Sequence, residues 1–156
     1  MQKILLTLLL IFSTLSAEER SAKVVYDLRT KDLANFELRI LKSIVANKTY
    51  YQGKLRELDV TVVIHGGAYR FFAIDPSKNS FFNEDKALMK NYKTLAKRIK
   101  TMSDTYDVEF LICGVGMKKK NLTKKDIYPF VSVIPNSTIG LIDRQNEGYA
   151  YIPISD

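Results

Sequence analysis

The single cysteine of the chain, Cys113, opens the segment Cys113-Gly114-Val115-Gly116-Met117 and is followed by Lys118, Lys119, Lys120, Lys124 and Lys125. A thiol at the end of an apolar run, beside glycines, a helix start and five lysines, has several reasons to ionise more readily than free cysteine, and the thiolate is the reactive form. The competing reading is a small filler of a buried strand end beside a solvated lysine face. The single histidine, His65, ends another apolar run in His65-Gly66-Gly67-Ala68-Tyr69-Arg70. The glycine pair lets the backbone turn sharply and approach a ligand, although an ordinary turn uses it equally well. An imidazole there carries protons, binds a ligand or simply packs through hydrogen bonds. A further run ends in Pro135-Asn136-Ser137-Thr138, where Asn136 suits a helix cap and can also present its amide to the same crevice. One cysteine and one histidine exclude an internal disulfide and leave a zinc site short of its usual donors, so neither metal nor cofactor is expected.

These three run ends need elements to hold them. β-Branched or apolar runs at 24–28, 60–64, 108–113, 131–134 and 149–152 are bounded by turn residues such as Pro129, Pro135, Gly148 and Pro153, which predicts five strands. The second run has no polar interruption except Thr61, as expected of a strand buried on both faces. Leu33, Phe36, Ile40, Leu41, Ile44 and Val45 recur at helical spacing after Asp32 or Thr30 as cap. Leu88, Tyr92, Leu95, Ile99 and Met102 form a second apolar stripe; Asn83 serves as its cap, with Glu84 and Asp85 in a first turn that favours acids. Strands joined through helical crossovers are parallel. The expected architecture is therefore α/β, with helices on both faces of a mostly parallel sheet. In such sheets ligands gather beyond the carboxyl ends of the strands.

The chain opens with Lys3, an apolar run over 4–15, then Ser16 and Ala17 before Glu18, Glu19 and Arg20. That order is a secretory signal, and the run of about twelve residues is short of the roughly twenty needed to span a bilayer. Residues 1–17 are read as a signal peptide and 18–156 as one domain, soluble after cleavage and periplasmic or secreted. No cysteine near the junction offers a lipid-attachment site. The net charge is +7, one unit of it from Lys3. For an exported protein this balance implies solubility or attraction to small anions and anionic surfaces, with no nucleic-acid partner. No glycine motif of the dinucleotide or P-loop kind follows any strand, and the sequons at Asn47, Asn121 and Asn136 are treated as chance.

The segments Lys23-Val24-Val25-Tyr26-Asp27-Leu28, Val62-Val63-Ile64-His65-Gly66, Tyr106-Asp107-Val108-Glu109-Phe110-Leu111-Ile112-Cys113-Gly114 and Val133-Ile134-Pro135-Asn136 together resemble the DsrE/DsrF-like family. The resemblance implies a three-layer α/β/α fold with about five strands and assembly into trimers or hexamers. It also implies a role in moving sulfur, in which Cys113 accepts sulfane sulfur as a persulfide, a reversible modification of an accessible thiol. Lys118 and Lys119 would then help electrostatically, His65, Gly66, Gly67, Tyr69, Gly114 and Asn136 would form the pocket, and the partners would be a sulfur donor or acceptor protein. The export signal sets this chain apart from the sulfur-relay members that work in the cytoplasm. A sulfurtransferase-like carrier therefore stands beside two other expectations: a non-catalytic binding module of the envelope, with Cys113 as packing, and a structural subunit of a larger envelope complex.

Overall fold

A computed structural model describes residues 21–156; the leader expected over 1–17 lies outside the described residues. The strands are β1 (Ala22–Leu28), β2 (Leu58–Ile64), β3 (Val108–Cys113), β4 (Ser132–Ile134) and β5 (Ala150–Ile154). They form one sheet in the order β4-β3-β2-β1-β5, and every neighbouring pair is parallel. β2 lies at the centre and is almost wholly buried, which is why its sequence lacks polar alternation. β5 runs two residues beyond the expected end, through Pro153. It is an edge strand, where a residue without an amide proton breaks no ladder bond on the open side.

The two faces of the sheet are covered unequally. On one, Tyr26, Leu28, Val62, Ile64, Phe110 and Ile112 pack against the helices α1 (Leu33–Phe36), α2 (Ser43–Gln52), α3 (Tyr69–Phe72), α4 (Lys86–Asp104) and α5 (Gly114–Lys119) in the main core. On the other, Val25, Val63 and Leu111 form a small second core, and α6 (Ser137–Asn146) is the helix that contacts β1, β2 and β3 there. The expected three layers are present, with one layer reduced to a single helix.

Between α1 and α2 the helix widens over Glu37–Lys42, where the Ser43 amide and hydroxyl both reach back five residues to the Leu38 carbonyl. The extra residue per turn is a π-bulge. It places Phe36, Ile40, Leu41 and Ile44 all in the core. Asp32 caps α1, accepting from the Asn35 amide at 2.6 Å. For α4, the cap is Asp85 rather than the expected Asn83: its carboxylate accepts from the Leu88 amide at 3.0 Å and from Arg70 at 2.9 Å. Asn83 instead sits in the turn that follows the 3-10 segment Pro76–Lys78, with its amide bonded to the Asn79 carbonyl. A charged cap that also holds the Arg70 guanidinium satisfies two elements at once, an option that spacing from the apolar stripe does not distinguish.

Candidate functional site

Cys113 is the last residue of β3, paired with Ile134 of β4, and it is also the N-cap of α5. A strand that turns directly into a helix aims its last side chain at that helix's free amides. The side chain is 6% exposed, so the sulfur lies just beneath the surface. Burial pushes the thiol upward. Hydrogen bonding from the Gly116 amide, the Tyr69 hydroxyl and the amide and hydroxyl of Ser137 outweighs burial and leaves the group below its ordinary value. The thiol does not close a formal cap bond; it is the ionised sulfur that these donors favour.

Tyr69 forms the floor. It is 1% exposed, and its hydroxyl donates to the Cys113 carbonyl at 2.8 Å. Burial, followed by the hydrogen bond to and charge of Cys113, raises the phenol so far that it stays protonated. Close contact between this ring and α5 demands a glycine, because a β-carbon on Gly116 would stand 2.0 Å from the hydroxyl oxygen. Ser137, which favours the ionised sulfur, is the first residue of α6, and Asn136 caps that helix, accepting from the Ile139 amide at 3.0 Å. Asn136 thus does the capping expected of it and acts on the site through its neighbour.

The basic cluster divides. Lys118 and Lys119 are exposed in the last turn of α5 and have no ion-pair partner among the described residues. Lys124 donates to the Val131 carbonyl and, at 3.4 Å, to that of Pro129. Lys120 stacks over Phe81, with its nitrogen 5.1 Å from the ring centre. A groove of about 710 Å³ begins at Gly114, beside the cysteine, and passes Met117, Lys118, Lys124 and Val133. A second groove, of about 850 Å³, lies between Lys31, Glu37, Arg70 and Asp85. Of the two, the first shares a wall with the residue next to the thiol.

Gly66 and Gly67 serve the turn. Gly66 has φ of 61°, and a β-carbon on Gly67 would sit 2.6 Å from that of Lys31. The pair lets the chain leave β2 against the residues that follow β1, with the Gly67 amide bonded to the Arg29 carbonyl at 2.8 Å. The ordinary-turn reading describes them, and they line neither groove.

His65 brings a residue that the sequence reading passed over. Its Nε2 meets Asp27 Oδ1, while the Tyr151 hydroxyl donates to Asp27 Oδ2 at 2.6 Å and Arg29 Nε lies 3.4 Å from that oxygen. Asp27 is 3% exposed within β1, a position where a carboxylate persists only with partners. Burial raises its pKa. The hydrogen bonds from His65 and Tyr151, then the charges of His65 and Arg29, bring it below the usual carboxylate range. An isolated Asp among apolar residues of a strand was the available signal, but its partners lie 38 and 124 residues away in the chain.

A pH dependence follows from this depressed carboxyl. Its stabilisation is fully present above the unfolded value, about 3.9, and is lost as pH falls through the lower folded value. Urea unfolding of the wild type and Asp27→Asn is therefore expected to show a gap of about 2 kcal/mol at pH 6–7, shrinking below roughly pH 4. A gap that stayed constant down to pH 2 would contradict the assignment.

The family model for the DsrE/DsrF-like family matches residues 23–154, which takes in the sheet from the second residue of β1 to the end of β5. An uncharacterized protein of Aquifex aeolicus is 30% identical over 132 residues, or 84% of this chain. The chain spans about 55% of the length of that relative. A protein of unknown function from Methanobacterium thermoautotrophicum has a similar fold, with a TM-score of 0.59 and 19% identity, over 85% of this chain and 99% of that one.

Proposed function

Because this chain belongs to the DsrE/DsrF-like family, a membership that points to sulfur-related function, we propose that it carries sulfane sulfur as a persulfide on Cys113. What supports this most is the place of the thiol, where β3 turns into α5 beside the first residues of α6, held below its ordinary value. The Gly116 and Ser137 amides and the Ser137 hydroxyl favour an anionic sulfur, and a persulfide is a larger anion of the same kind. Lys118 lines the adjoining groove and Lys119 is exposed beside it, neither with an ion-pair partner among the described residues, and their positive charge attracts an anionic donor.

The export signal expected over 1–17 would put this work in the periplasm or outside the cell, with a donor and acceptor other than those of a cytoplasmic relay. Self-assembly belongs to the same proposal. Ile139 and Ile142 of α6 and Tyr151 of β5 are exposed on the thinly covered side of the sheet, the kind of apolar surface that subunits bury.

The test is the intact mass of the mature protein after incubation with thiosulfate or polysulfide. The wild type is expected to gain one or more sulfur atoms, reversibly with reductant, and Cys113→Ser is expected to gain none. Loading of Cys113→Ser would rule out the mechanism. The second reading, a binding module with Cys113 as packing, draws on the 6% exposure of that residue. It expects no mass gain and a thiol silent to alkylation until the protein unfolds.

A further inference from the structure

The polar cluster around Asp27 stands beside the cysteine, not apart from it. Ile64 of β2 and Ile112 of β3 are paired in register. Each is followed directly by the residue of interest, so His65 and Cys113 occupy neighbouring positions on strands about 4.8 Å apart. Both lie at the carboxyl edge of the sheet. His65 has one ring nitrogen fixed on Asp27, which leaves Nδ1 as the nitrogen free to exchange a proton, and the side chain is 22% exposed. Asp27 is itself held on its second oxygen by Tyr151 and Arg29, so the imidazole is tied to a fixed, ionised anchor.

We propose that Asp27 and His65 form a proton-carrying dyad for Cys113, with His65 taking the thiol proton and Asp27 acting as the positioning residue. This rests on the reading of Cys113 as the sulfur acceptor. In the loading step the thiol proton passes to His65, and the imidazolium is stabilised by the Asp27 carboxylate. The Cys113 thiolate attacks the sulfane sulfur of a thiosulfate-type donor. The new S–S bond forms as the donor's S–S bond breaks, and sulfite departs with that electron pair. Cys113 is left as a persulfide anion. No separate oxidant or reductant enters, because the donor already holds sulfur at the level of the product.

A single histidine in the sequence makes the proposal directly readable. The titratable and charged groups gathered with the imidazole are Asp27 and, on its second oxygen, Arg29 and Tyr151, with Cys113 at the neighbouring strand end. Followed by NMR in the full mature protein, the His65 imidazole resonance is expected to show two inflections with pH, its own and that of the neighbouring thiol. Cys113→Ser should remove the second. Superimposable curves for wild type and Cys113→Ser would overturn the dyad.

Alkylation of Cys113 by iodoacetamide supplies a second measurement. At pH 7 it is expected to be about tenfold slower in His65→Gln, with Asp27→Asn between that variant and the wild type and their pH profiles displaced to higher pH. Unchanged pH profiles in both variants would also overturn the proposal. If the wild type shows the two inflections but takes no sulfur from thiosulfate or polysulfide, the thiol–imidazole dyad stands and the sulfur-carrier reading fails.

Discussion

Gly116→Ala is expected to cost about 3 kcal/mol of stability and to disturb the surroundings of Cys113 directly. The added methyl would lie 2.0 Å from the Tyr69 hydroxyl oxygen and 2.6 Å from Cζ, the ring carbon that carries it. These are atoms of a rigid ring that is 1% exposed, so relief requires either α5 or α3 to move. Either movement breaks the hydroxyl bond to the Cys113 carbonyl and withdraws the Gly116 amide from the sulfur. Urea unfolding and the pH profile of iodoacetamide labelling check the two consequences together: a lower midpoint, and a thiol displaced toward higher pH. Tyr69→Phe in the same background removes the closest atom but not Cζ, so it should restore only part of the loss. A loss below 0.5 kcal/mol for Gly116→Ala would mean that ring and helix are not in the contact described.

Phe36→Ala has the largest expected effect, about 3–5 kcal/mol, although Phe36 belongs to a different helix from either site residue. Its ring is fully buried, stacks on Phe71 with centroids 4.4 Å apart and meets Phe72 edge-on at 5.9 Å. Those two phenylalanines are the inner residues of α3, the four-residue helix that begins with Tyr69. A helix that short has little stability of its own, so its position depends on the packing beneath it. Removing Phe36 should therefore loosen the floor of the thiol as well as the core. Equilibrium unfolding is expected to show the loss. Labelling of Cys113 under native conditions should be faster than in the wild type, as local opening becomes easier. Unchanged labelling with lowered stability would show that α3 is held by other contacts.

The difference between what spacing reveals and what it conceals is clear around the cysteine. All five strands follow from β-branched runs, and the parallel sheet follows from the length of the connections, since both depend on local sequence. The Asn136 cap is likewise local, fixed by a side chain and an amide three residues apart. Lys118 and Lys119 are exposed as their position after an apolar strand implies. By contrast, the sequence does not reveal the role of Tyr69, which depends on a backbone carbonyl 44 residues away. Asp27 and Tyr151 escaped notice because a polar residue inside a strand becomes meaningful only when register is known. β1 and β5 are set side by side by the fold alone. The π-bulge and the Asp85 cap depend on a neighbouring element, the first on the core surface and the second on Arg70.

The placement of β5 beside β1 also makes the first strand depend on the last. Val24 pairs with Ala150 and Leu28 with Ile154, so one side of the first strand waits for a segment made more than a hundred residues later. Until then β1 presents an open row of backbone donors and acceptors, and Asp27 lacks the Tyr151 hydroxyl. Joining such distant segments closes a long loop before the contacts reward it, which slows folding. The thiol edge, formed by β3 and β4 at a sequence separation of only about twenty residues, is assembled without that delay. A chain arrested before Ala150 would carry the cysteine without its fully anchored imidazole, because the Tyr151 hydroxyl that holds Asp27 would be missing.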